Sequence, residues 1–131
     1  MNVFLTGASS GIGAALAAEF ARRGATLGID AVLAQVPGRH HRYAVDVTDK
    51  DALIAAARDF DDATGGADIV IANAGISVGV LSEYYEDLDA FGDVFRTNVL
   101  ATAYTFHPFI GRMRARGRGT LVGIASVAGI R

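Results

Sequence analysis

Thr6-Gly7-Ala8-Ser9-Ser10-Gly11-Ile12-Gly13 is the stretch that decides how this chain folds. The apolar run Val3-Phe4-Leu5 precedes it, and an alanine-rich stretch from Ala14 to Arg23 follows with apolar residues at helical spacing. That order reads strand, glycine loop, helix. Such a junction gathers free backbone N–H groups and the positive end of a helix dipole at one point, which suits a phosphate. The first glycine permits a tight turn. The later two let the backbone approach a pyrophosphate and let the helix pack on the strand.

Outward from this loop, strand-like and helix-like segments alternate along the chain. Strands are expected over residues 2–6, 26–29, 42–45, 68–72 and 120–125. A helix over residues 10–23 carries Ile12, Leu16 and Phe20 on one face and stops at Gly24. Residues 31–35 leave room only for a helical remnant, ended by Pro37-Gly38. Thr48 reads as an N-cap, with Asp51 three residues on, for a helix that aligns Leu53, Ala56, Ala57 and Phe60. Residues 88–116 are mostly helical, with Phe91, Phe95, Val99, Thr102 and Phe106 along a stripe.

Strands continuous in Val, Ile and Leu, each followed by a helix, imply a parallel sheet covered on both faces. Right-handed crossovers make it an α/β doubly wound sheet. Ligands of such sheets sit at the carboxyl ends of the strands. The glycine loop, Asp46, Asn73 and Ser126 fall there in turn. No internal repeat or linker interrupts residues 1–131, which read as a single domain.

Composition sets the outer bounds. Hydrophobic residues make up 51% of the chain and charged ones 20%, a balance that supports a packed core and excludes a disordered chain. A formal net charge of −2 provides no overall field for nucleic acid. The absence of cysteine removes disulfides and thiolate metal sites and fits a cytoplasmic protein. No apolar run approaches a membrane span, and the amino terminus shows no signal-peptide pattern. His40, His41 and His107 lack metal-ligand spacing. Arg112, Arg114, Arg116 and Arg118 read as cations at a helix carboxyl end rather than as a nucleic-acid patch.

Four features, in order, are similar to the short-chain dehydrogenase/reductase family: Thr6-Gly7-x-x-x-Gly11-Ile12-Gly13, Asp46-Val47 after a strand, Asn73-Ala74-Gly75 after the next, and Asn98 in a long helix followed by a strand ending in Ser126-Val127-Ala128-Gly129. The resemblance covers essentially the whole chain. It implies a Rossmann fold with a nicotinamide dinucleotide, NAD or NADP, across the strand ends. Gly7, Ser9, Ser10, Gly11, Ile12 and Gly13 would hold its pyrophosphate and ribose. Asp46 and Val47 would flank the adenine, and Asn73, Ala74 and Gly75 would line the cofactor and brace the central strands. Asn98 would anchor a water for proton relay, and Ser126 would hydrogen-bond a small alcohol or carbonyl substrate. The plainer alternative for Asn98 is a structural polar residue that bends its helix.

The same resemblance implies an oxidoreductase interconverting an alcohol and a ketone or aldehyde, and an oligomer once the protein is complete. Its general acid would be a tyrosine paired with a lysine four residues on, beyond the serine. The only lysine here is Lys50, and neither Tyr84-Tyr85 nor Tyr104 has a lysine four residues later. The sequence is therefore expected to be a fragment, with a sheet incomplete on its carboxyl-terminal side. The alternative is a non-catalytic dinucleotide-binding or scaffolding protein. Asp30 closes the second strand, one residue before the place of the family's acid. An acid there bonds the ribose 2′-hydroxyl of NAD, a basic cluster the 2′-phosphate of NADP, and both cofactors stay open. A methyltransferase also uses a glycine loop on a parallel sheet, but leaves Asn73-Ala74-Gly75 without a role.

Overall fold

The computed structural model of the chain describes residues 1–30, 36–81 and 83–126, with the backbone alone at Asp30. The elements run β1 (Asn2–Leu5), α1 (Gly11–Arg22), β2 (Thr26–Asp30), β3 (His40–Tyr43), α2 (Lys50–Thr64), β4 (Ile69–Ala72), α3 (Asp87–Phe95), a π-helical turn (Arg96–Leu100), α4 (Ala101–Arg116) and β5 (Thr120–Gly123). All strand pairs are parallel, in the order β3-β2-β1-β4-β5. The order reverses between β1 and β4, the switch point at which doubly wound sheets bind ligands.

Alternation along β1 builds both halves of the core. Val3 and Leu5 face α1, joining Leu27, Ile29, Ile71 and Ala17. Phe4 points the other way, into Phe60 of α2 and Phe109 of α4, with ring centroids 5.6 and 5.3 Å apart. Leu53, Ala57, Val70 and Met113 complete that second cluster. A fully buried side chain of this size contributes about 1.5–3 kcal/mol. The two clusters therefore hold helices to both faces and fix the register of the central strands.

The structure shifts three expected features. β3 begins and ends two residues earlier than residues 42–45. Its ladder to β2 begins at His40, opposite Leu27, and pairs Tyr43 with Asp30, while Val45 packs against the second core cluster. α2 is capped by Asp49, whose carboxylate accepts from the Ala52 N–H at 3.0 Å. Thr48 is withdrawn from that role because Asp46 accepts both its N–H (2.8 Å) and its hydroxyl (2.7 Å). The expected stripe on the long helix is only partly buried: Phe91, Phe95 and Val99 are exposed, whereas Ala101, Thr105, Phe109 and Met113 form the buried row of α4. The helical remnant expected over residues 31–35 lies outside the described residues, as do Val127, Ala128 and Gly129.

At the amino ends of the strands the polar groups satisfy one another. Buried Asp61 on α2 accepts from the Ala67 N–H at 2.6 Å and pairs with Arg112 at 3.1 Å and Arg116 at 3.6 Å. Arg112 also reaches Asp62, and Arg116 donates to the Ala67 carbonyl at 2.7 Å. The Asn2 amide donates to the carbonyls of Thr64 and Gly66. Two members of the arginine cluster thus tie α4 to α2, beyond any interaction with their own helix dipole.

Candidate functional site

Thr6 carries the chain out of β1, and its N–H donates to Ile71 O at 3.1 Å. Its hydroxyl accepts from the N–H groups of Asn73 (3.2 Å) and Ala74 (3.3 Å). The Asn73 amide donates back to Thr6 O (3.2 Å) and Gly7 O (3.0 Å). These four bonds lace the end of β1 to the end of β4, so the glycine loop and the Asn73-Ala74-Gly75 turn form one rigid floor.

The fit at that floor leaves no space for side chains. Gly7 adopts φ +68°, and a Cβ there would lie 2.7 Å from Ala74 Cα. A Cβ on Gly13 would lie 2.0 Å from Gly7 O and 2.5 Å from the Asn73 amide nitrogen. Both positions therefore demand glycine, Gly7 for backbone conformation and approach, Gly13 for approach alone. Ser10 stands at the N-cap of α1 in extended conformation, and its side chain makes no capping bond to the helix. The first turn of α1 thus presents its N–H groups and dipole to whatever occupies the space ahead of it.

That space is a cleft of about 770 Å³. The glycine loop lines it with Gly7, Ser9, Ser10, Gly11 and Ile12, the stretch after β3 with Val45, Asp46, Val47 and Thr48, and the β4 turn with Asn73, Ala74, Gly75 and Ile76. Gly13 is buried beneath the loop rather than in the wall. Ile12 is 62% exposed, an apolar side chain held over a polar loop. The Asp46 carboxyl is held below its ordinary range by the Thr48 N–H and then by the Thr48 hydroxyl, so it stands ionised in the wall.

Val45, Thr48, Ile76, Asp93, Thr97 and Ile124 also line the cleft and were not among the site residues expected from the sequence. Asp93 and Thr97 close the cleft from the α3 side. Their four-residue separation places both on one helical face, a signal present in the sequence that a search confined to motifs passes over.

Asn98 sits in the π-helical turn, where the Ala101 N–H donates to Arg96 O five residues back. Its side chain clasps the backbone of one residue, accepting from Ile76 N–H at 2.9 Å and donating to Ile76 O at 2.9 Å. Its own carbonyl accepts from the Thr102 hydroxyl at 2.9 Å. Asn98 is thus a positioning residue for the cleft wall at Ile76. The bonding matches the plainer structural reading and leaves the water-anchoring role untested. Ser126 is exposed, three residues past β5, while Ile124 lines the cleft. Asp30 ends β2 beside the glycine loop strand. Of the residues anticipated from the sequence, the loop, Asp46-Val47 and the Asn73 turn converge on one cleft. Asn98 braces it from behind.

The short chain dehydrogenase family model matches residues 1–131. An uncharacterized oxidoreductase from Myxococcus xanthus is 36% identical over 141 residues, taking in 99% of this chain and 55% of its own length. A 3-oxoacyl-(acyl carrier protein) reductase with bound NAD from Brucella melitensis has a TM-score of 0.84 at 35% identity, covering 99% of this chain and 55% of that one. ElxO with NADP bound has a TM-score of 0.88 at 26% identity, covering 99% and 57%. The chain spans about half the length of these relatives.

Proposed function

Because this chain belongs to the short-chain dehydrogenase/reductase family, we propose that it is the cofactor-holding portion of an oxidoreductase that interconverts an alcohol and a ketone or aldehyde with NAD or NADP. The observation that carries this reading is the cleft itself: a side-chain-free floor at Gly7 and Gly13, the unclaimed first turn of α1, and walls from three strand ends. These residues fit a dinucleotide. The nicotinamide, when bound, supplies or accepts the hydride.

The chain's own residues do the rest of the work available to them. N–H groups of Gly11, Ile12 and Gly13 receive the pyrophosphate at the helix terminus, with Gly7, Ser9 and Ser10 shaping the loop around it. Asp46 accepts from the adenine amine while Val47 covers the ring. Asn73, Ala74 and Gly75 form the floor, and we assign Asp30, at the end of β2, to the adenosine ribose. Asn98 anchors a water near the reacting centre, and Ser126 donates to the substrate oxygen.

A second reading is a non-catalytic dinucleotide-binding or scaffolding protein. We assign the substrate to small alcohols and carbonyls and the protein to the cytoplasm. We expect a homo-oligomer in the complete protein and no nucleic-acid or membrane partner. No helix among the described residues is long and apolar enough to cross a membrane. Calorimetric titration of the full-length protein with NAD⁺ and NADP⁺ tests the central claim, and a failure to bind either sinks it. Dinucleotide binding without turnover of any alcohol would favour the second reading. A strict monomer by light scattering would remove the oligomer.

A further inference from the structure

We infer that this site takes an uncharged, apolar alcohol or ketone rather than an acid or another anionic substrate, an inference that rests on the oxidoreductase reading above and deepens it. The cleft continues into an apolar lip. Ile76 and Ile124 line the cleft, and Val78, Leu81 and Tyr84 follow Ile76 along the chain toward α3. These side chains are 41% to 57% exposed, although most are of a kind that folding normally hides.

The lip is pinned at both ends. Asn98 holds Ile76 through its backbone N–H and C=O, and Asp87 accepts from the Leu81 N–H at 2.8 Å. The Tyr84 N–H donates to Leu81 O at 3.0 Å, and the Asp87 N–H to Tyr84 O at 3.2 Å. Ile124 is anchored by its own N–H, which donates to Ala72 O at 3.0 Å. Backbone groups are thus paired while apolar side chains stand in water. Covering them with a hydrocarbon ligand gains transfer free energy at little cost in ordering.

Charge around the lip decides the ionic state of that ligand. Residues 73–95 contain Glu83, Glu86, Asp87, Asp89 and Asp93 and no Lys or Arg. Arg96, the first cation after them, pairs with Asp93. The described residues lining the cleft add Asp46 and no cationic side chain. A carboxylate or phosphate carried by the substrate meets like charge there, whereas a neutral alcohol or ketone does not. The same acidic rim turns away an anionic lipid surface.

The test is saturation-transfer NMR titration of the full-length protein with 2-octanol, 2-butanol and 3-hydroxyoctanoate, followed by turnover of each with NAD⁺ and NADP⁺. 2-Octanol is expected to bind about tenfold or more tightly than either of the others, since four added methylenes are worth more than that when fully buried. Val78→Ser with Leu81→Ser, checked for folding by circular dichroism, is expected to weaken 2-octanol about three- to tenfold. Glu83→Gln with Glu86→Gln is expected to narrow the gap between 2-octanol and 3-hydroxyoctanoate about threefold at low ionic strength. Equal or tighter binding of the anion, or an anion affinity that collapses in Arg96→Ala, overturns the inference. A 2-octanol affinity untouched by the serine pair also overturns it, because another part of the protein then covers the lip. So does a gap unmoved by the glutamine pair. Dinucleotide binding without turnover of 2-octanol overturns the substrate class and leaves the dinucleotide reading standing, whereas failure to bind any dinucleotide overturns both. If the serine pair fails to fold, the glutamine pair and the wild-type ratios decide.

Discussion

The two ends of the parallel sheet treat their polar groups in opposite ways. At the amino ends, Asp61, Arg112, Arg116, Asn2 and the Ala67 peptide are spent on one another. At the carboxyl ends, Thr6 and Asn73 lace the backbone together, and the first turn of α1 receives no side-chain cap from Ser10. One end uses its hydrogen-bonding capacity to hold helices together. The other holds a shape and leaves donors for a ligand. In a parallel sheet every crossover begins at one end and finishes at the other, so stability and binding can be allotted to separate ends of the same strands.

The sharpest way to break this contrast is Gly13→Val. Its side chain would meet Gly7 O and the Asn73 amide, so destabilisation of about 3 kcal/mol or more is expected, with loss of cofactor binding. Urea denaturation and a cofactor titration would read the two effects; a stable, binding-competent variant would show that the carboxyl end is not rigid. Asp61→Ala attacks the other end. It strands the Ala67 N–H and takes one partner from each of Arg112 and Arg116, for a loss of about 2–3 kcal/mol, with cofactor affinity unchanged. A shift in affinity would mean the ends are coupled.

Asp49→Ala removes the cap of α2, a change of about 1 kcal/mol by thermal melting. Thr48→Ala should change less, because Thr48 bonds to Asp46 rather than to the helix. Asn98→Ala frees the backbone N–H and C=O of Ile76 to water, so stability should fall by only about 0.5–1 kcal/mol, and dinucleotide affinity by about two- to fivefold. An affinity unmoved by that substitution would remove Ile76 from the binding wall.

The smallest effect appears only in alkali. Burial, and then the bond to Asp59 at 2.6 Å, raise the Tyr43 phenol above its ordinary value. The neutral form is favoured in the folded state, so its contribution is intact below pH about 10 and is lost as pH rises beyond. Tyr43→Phe should flatten the alkaline limb of stability measured by urea unfolding between pH about 8 and about 11. An unchanged limb would place the alkaline loss elsewhere.

The strands, their parallel order and the glycine loop were legible because each depends on local pattern: β-branched runs, period, and glycines between a strand and a helix. Asp49 was harder to read, since Thr48 and Asp49 are both capping types and the choice turns on which of them Asp46 engages. The start of β3 depends on its register with β2, which pairs His40 with Leu27, a property of both strands rather than of residues 42–45 alone. Phe91, Phe95 and Val99 do form an apolar helical face, but periodicity reveals a face and not what lies over it. The clasp of Asn98 on Ile76 spans 22 positions and leaves no trace in spacing.

The π-helical turn at Arg96–Leu100 acts as a slipped tooth in an otherwise regular gear. One added residue in a turn advances every later side chain by about 100° around the axis. Below the slip, α4 presents Ala101, Thr105, Phe109 and Met113 to the sheet; above it, Phe91 and Phe95 of α3 are turned outward. A single rod thereby serves two clients, the domain's interior with one half and its surroundings with the other.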